Sequence, residues 1–278
     1  MPHWKKAYHA NCWGALGGAP VGVTSIKDLY YRTFGDMDRA IADIGSAGYE
    51  GIELFDGNLL DYEAKTAELG QRLSDAGLSL VAVYSGANFI FPEILQEELW
   101  RIRKGADLAS QLGAKHLVVG GGAKRTTAAT QEDYGRLAEG LNRVVEIAWE
   151  RGLDAHYHPH LTTMAETPEQ IQKVFSLSDI QFCPDTAHLA AAGGRPEELI
   201  LNHADRISYV HLKDFRSDPF AFLPLGEGEL GIEKILRALM TINYSGWLLV
   251  ELDSYDNPKA GAEKSLRYLN EFETRPKG

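Results

Sequence analysis

Cysteine is scarce in this chain: only Cys12 and Cys183 occur in 278 residues, too few for a disulfide framework. Long apolar runs are missing as well, and none approaches the roughly 18 residues of a membrane span. The opening MPHWKKAYHANCWG has no apolar stretch of the kind that marks a secretory signal. Positive charge is in deficit, with 28 Lys and Arg against 39 Asp and Glu, a net charge of −11. That balance argues against nucleic acid or an anionic membrane as the main partner. No Ser/Pro-rich linker or low-complexity tract breaks the chain. The expectation is a cytoplasmic protein with no nucleic-acid and no membrane partner, built as one domain over 1–278.

What is present is a repeated unit: a short β-rich run, a polar or Gly-rich segment, then an amphipathic helix. The runs begin at Ala7, Tyr49, Leu78, Lys115, Leu153, Ile180, Arg206 and Gly246. Between them, Ala40, Ile41 and Ile44 fall on one helical stripe that ends at Ala47-Gly48. Thr167-Pro168-Glu169 reads as an N-cap followed by Pro at the first helical position. Eight strand–helix units predict an α/β fold, a (β/α)8 TIM barrel. An open doubly wound sheet is disfavoured, because no compact GxGxxG turn follows the first strand.

In such a barrel, functional groups gather at the C-terminal strand ends. Side chains two apart share a face, which puts His156, His158 and His160 together in the fifth run. Cys183 pairs with Asp185 in the sixth, Tyr209, His211 and Lys213 in the seventh, and Leu249, Glu251 and Asp253 in the eighth. Facing inward, His158, Asp185, His211 and Glu251 converge from four successive strands. Two imidazoles and two carboxylates suit Mn²⁺, Co²⁺, Zn²⁺ or Fe²⁺. A lone His or Asp at a strand end is more often a satisfied polar group than a ligand. Here, however, five of the nine histidines lie in runs five to seven or just after them.

The segments YHPHLTTMAET, PDTAHLAAAGG, RISYVHLKDF, PLGEGEL and GWLLVELD, in that order, resemble the sugar phosphate isomerase/epimerase superfamily, the xylose isomerase-like barrels. Within it the chain looks most like the inosose (2-keto-myo-inositol) dehydratases. The resemblance implies that His158, Asp185, His211 and Glu251 are the metal ligands, with Mn²⁺ or Co²⁺ first and Zn²⁺, Fe²⁺ or Mg²⁺ as alternatives. Epimerases of the superfamily usually carry Glu where this chain has His158, and the dehydratases similarly have a His-rich fifth strand. Elimination is therefore favoured over epimerisation.

The implied activity is a metal-dependent carbon–oxygen lyase acting on a small keto-sugar or keto-inositol. Two alternatives share the fold: a 3-keto-glycoside lyase that expels an aglycone, and a ketose isomerase or 3-epimerase. His160 is the first choice for proton transfer, since imidazole titrates near neutrality. His188 and Lys213 are assigned to orient substrate oxygens or stabilise the enolate, and Glu53 to a second acid/base role or to binding the polyol. Asn11, Trp13, Asn88, Phe89 and His188 are the expected substrate contacts, with Tyr84 and Phe91 as further aromatic lining. Lys124-Arg125 reads as a solvated loop. The loop from Phe215 to Gly228 suits a cover for the site, while its Phe220 and Phe222 suit equally a contact with a second copy or a second subunit.

Overall fold

The computed structural model describes residues 2–16 and 30–275, so the ends of the expected 1–278 domain lie outside the described residues. Each β-rich run yields a strand: β1 (Lys6–His9), β2 (Gly51–Phe55), β3 (Ser79–Ala87) and β4 (His116–Gly121). The series continues with β5 (Asp154–Tyr157), β6 (Gln181–Phe182), β7 (Val210–Leu212) and β8 (Leu248–Val250). All pair in parallel, in the order β6-β5-β4-β3-β2-β1-β8-β7. The end strands meet through a parallel bridge between Asp185 and His211, where the His211 N–H donates to the Pro184 carbonyl at 3.0 Å. That bridge closes the sheet into a barrel.

β5 and β6 stop short of the runs that predict them. Pro159 and Pro184 lack the N–H that ladder pairing requires, so the chain leaves the sheet there. His158, His160 and Asp185 consequently stand just beyond the strands, at the barrel's C-terminal rim.

Helices α1 (Met37–Ala47), α2 (Thr66–Asp75), α3 (Pro92–Gln111), α4 (Gln131–Trp149) and α5 (Pro168–Phe175) pack outside the strands. They are followed by α6 (Thr186–Ala191), α7 (Pro196–Asn202), α8 (Ile232–Thr241) and α9 (Pro258–Thr274). α1 begins at Asp36, whose side chain accepts from the Arg39 N–H, and ends at Gly48 in the left-handed region at φ +102°. It buries Ala40, Ile41 and Ile44, the predicted stripe. α4 and α5 each start with a reciprocal cap, Thr130 with Asp133 and Thr167 with Gln170. No helix among the described residues is long and apolar enough to cross a membrane.

Alternation sends Leu117, Val119, Leu248 and Val250 to the layer under the helices, while Val118 and Leu249 fill the barrel interior with Tyr84, Cys183 and Tyr209. That interior is also unusually polar. His9, Glu53, His116, His156 and His211 are buried there. His116 Nδ1 lies 3.0 Å from His156 Nε2, and the His116 ring stacks on Tyr209.

Burial pushes both His9 and His116 down to about 4. The unfolded chain takes up protons on these rings near pH 6.5, whereas the barrel refuses them until about pH 4, so unfolding binds protons in that window. Stability present above pH 6.5 should fall by about 1–2 kcal/mol per histidine between pH 6.5 and 5. Urea midpoints measured across this range should drop, with a shallower slope for His116→Gln; a flat profile would contradict the account.

Candidate metal centre

The short strands bring four side chains to one point. His158 follows β5, Asp185 follows β6, His211 lies within β7 and Glu251 follows β8. One donor atom from each lies within 4.8 Å of the others, and all four residues are buried. His158 Nε2 is 3.6 Å from Asp185 Oδ2 and 3.8 Å from Glu251 Oε2, while His211 Nδ1 is 2.6 Å from Glu251 Oε2.

Each donor is aimed by its surroundings. Asp185 caps α6, its Oδ1 accepting the Ala187 and His188 N–H groups at 2.9 Å, which leaves Oδ2 for the centre. The Tyr84 hydroxyl stands 3.5 Å from His158 Nδ1, so Nε2 points inward. Neither His158 Nε2 nor Asp185 Oδ2 has a hydrogen-bond partner among the described residues, although both are buried. Unpaired buried polar atoms are costly. Two imidazoles and two carboxylates at this spacing fit one divalent cation.

Beside the cluster, Lys213 is fully buried, with Nζ 3.3 Å from Asp185 Oδ2, 3.0 Å from Glu251 Oε1 and 3.1 Å from Asp253 Oδ1. Burial works against its charge, but the carboxylates of Asp185, Asp253 and Glu251 hold its pKa above the usual lysine value. Asp253 is pushed up to about 7 by burial, opposed by Lys213. His188 Nε2 lies 3.4 Å from Lys213 Nζ, and the His160 and His188 rings are 3.7 Å apart. Burial, with the charge of His158, takes His160 down to about 4. Its Nδ1 is 2.8 Å from the Leu161 carbonyl and so carries the proton, leaving the Nε2 lone pair available.

Asp214 builds the cover. Its carboxylate accepts from the N–H groups of Phe215, Gly226, Gly228 and Leu230 at 2.8–3.1 Å, which fixes the PLGEGEL turn. The hairpin strands Asp214–Ser217 and Phe220–Leu223 carry Phe222 to 4.8 Å from Lys213 Nζ and 5.1 Å from the His188 ring. A cavity of about 760 Å³ lies between this hairpin and residues 253–257, with Phe220, Phe222, Asp253 and Tyr255 on its walls.

The expected substrate contacts divide. Asn11 reaches the cluster, donating from Nδ2 to Glu251 Oε1 and Asp253 Oδ1 at 3.2 Å each. Trp13 instead bonds Asp43 on α1 at 3.0 Å. Asn88 is held by Glu98 at 2.7 Å. Phe89, at φ +57°, is withdrawn into the core against Gly140 of α4, away from the cluster. Glu53 lies inside the barrel against His211. Lys124 pairs with Glu166 and Arg125 with Asp133. Asp253 carried no expected role, although its phase with Glu251 placed it on the same face.

Comparison with known proteins agrees with this architecture. The family model of the xylose isomerase-like TIM barrel matches residues 41–272. An inosose dehydratase of Geobacillus kaustophilus is 28% identical, over 92% of this chain and 93% of its own length. One from Bacillus cereus is 26% identical, over 92% and 96%. Among solved structures, a probable 3-DHS dehydratase from Bacillus anthracis superposes with a TM-score of 0.73 at 15% identity, covering 96% of this chain and 98% of that one. The chain belongs to the xylose isomerase-like TIM barrel family.

Proposed function

We propose that this protein is a divalent-metal-dependent lyase that removes water by β-elimination from a keto-polyol, with 2-keto-myo-inositol as the substrate. The observation that carries the reading is the buried His158, Asp185, His211 and Glu251 cluster with Lys213 beside it. The inosose dehydratase relatives support the same reaction class. Mn²⁺ or Co²⁺ is the proposed metal, on the chemistry of the mixed donor set. When bound, it supplies Lewis-acid stabilisation of negative charge on the substrate ketone oxygen.

The chain's own groups do the rest. His160, kept neutral by burial, takes the proton α to the ketone on its Nε2 lone pair, and the imidazolium so formed returns that proton to the departing β-hydroxyl, which leaves as water. Lys213, held charged by three carboxylates, donates to a substrate oxygen and counters developing charge. His188 and Asn11 orient hydroxyl groups, and Phe222 shields Lys213 and His188 from water. A second reading, expulsion of an aglycone from a 3-keto-glucoside, is favoured by one feature: the aromatic cavity beyond Asp253 has a volume typical of sites for larger ligands.

A proton NMR time course of 2-keto-myo-inositol in deuterated buffer, with Mn²⁺-loaded and chelated protein, tests the reading. Metal-dependent loss of water is expected. Exchange of the α-hydrogen without loss of water moves the substrate to another keto-sugar, and no change in either sample rejects this one. His158→Ala, Asp185→Asn and Glu251→Gln should each lower Mn²⁺ content and turnover at least about 100-fold, because a metal site loses an anchoring donor in each. Full metal content and activity in all three variants would refute the ligand set.

A further inference from the structure

Among the buried carboxylates without a part in this chemistry, Glu53 lies nearest the proposed metal ligands, against His211. Glu53, on β2, has no exposed surface and sits where the β2–β3 register shifts, between Ile52 and Glu53. Three groups converge on it. The Tyr209 hydroxyl donates to Oε2 at 2.9 Å. His9 Nε2 is 3.3 Å from Oε1, and His9 Nδ1 accepts the Asn11 N–H at 3.0 Å, so the His9 proton is on Nε2 and faces Glu53. His211 Nε2 lies 3.2 Å from Oε1 and 3.3 Å from Oε2.

His211 is therefore bracketed. Its Nε2 faces Glu53, while its Nδ1 faces Glu251 at 2.6 Å, on the side of the four-donor cluster. A neutral imidazole carries one N–H and one lone pair. Glu251 at 2.6 Å would hold a proton on Nδ1, but a cation in the centre displaces it, and the Glu53 carboxylate then keeps the remaining proton on Nε2 and leaves the Nδ1 lone pair for the cation. Carboxylates commonly hold metal-binding histidines in this way, fixing both ring orientation and basicity. Oε2 of Glu53 takes the hydrogen bonds, from Tyr209 and His211, while Oε1 has the His9 and His211 rings at 3.3 and 3.2 Å without a hydrogen bond to either.

We propose that Glu53 is a positioning residue: it locks His211 in the Nε2–H tautomer and so presents Nδ1 as the metal donor. The proposal rests on the reading of His211 as a metal ligand.

The test is calorimetric titration of the metal-free protein with Mn²⁺. Glu53→Gln, which keeps the shape and removes the charge, should weaken binding about 10–100-fold, the usual cost of losing such a partner. Tyr209→Phe removes another donor from the same carboxylate and should stay within about threefold of wild type. A second readout needs no variant. Long-range ¹H–¹⁵N spectra of the Zn²⁺-loaded wild type should show the His211 proton on Nε2 and the metal on Nδ1. A proton on Nδ1, or Glu53→Gln binding within about twofold of wild type, would overturn the proposal while leaving the metal reading intact. Failure of the wild type to bind Mn²⁺ or Zn²⁺ would overturn both.

Discussion

The barrel closes at its own candidate site. The eight-stranded sheet is continuous from β6 round to β7, and the last gap is spanned by the Asp185–His211 bridge and one hydrogen bond to the Pro184 carbonyl. Two of the four candidate ligands are thus the residues that complete the ring, and the other two follow the flanking strands β5 and β8. Placement of the cluster depends on closure rather than on any mobile loop. Sites built on strands hold their geometry more tightly than sites on loops, and here the backbone bridge and the ligand pair are the same residues.

Closure also creates an electrostatic problem. Asp185, Glu251 and Asp253 are buried together, and like charges in a low-dielectric interior repel strongly. Lys213 answers part of this by lying within 3.0–3.3 Å of all three. One ammonium against three carboxylates leaves negative charge over, and Asp253 rises toward neutrality as a result of burial and its neighbours. A divalent cation among His158, Asp185, His211 and Glu251 would complete the balance and give a partner to His158 Nε2 and Asp185 Oδ2, which have ion-pair neighbours but no hydrogen bond. Behind the cluster, Glu53 performs the opposite service, gathering donors from His9, Tyr209 and His211 around one carboxylate.

Much of this was legible in the sequence because strand periodicity is simple. The two-residue alternation placed His158, Asp185, His211 and Glu251 on inward faces, and eight repeats called for a barrel. The stop signals were legible too: Gly48 and the Thr167-Pro168 cap work as their chemistry dictates. What the alternation did not carry is depth along the barrel. His156 and His158 share a face, but His156 pairs with His116 inside while His158 reaches the rim. Glu53 sits similarly inside the barrel, against His211. Loop residues were harder still. Phe89 and Trp13 resemble sugar-stacking aromatics in sequence, yet a positive φ turns one into the core and Asp43 holds the other. Those outcomes depend on long-range packing, which local pattern does not encode.

The central claim is that four buried side chains from four adjacent strands hold one divalent ion. Crystals of the Mn²⁺-loaded protein, with anomalous scattering recorded above the manganese edge, test it most directly. The account predicts a single strong anomalous peak at bonding distance, about 2.0–2.3 Å, from His158, Asp185, His211 and Glu251 together. A peak bound elsewhere, or none while Lys213 remains the sole cation among these carboxylates, would contradict it.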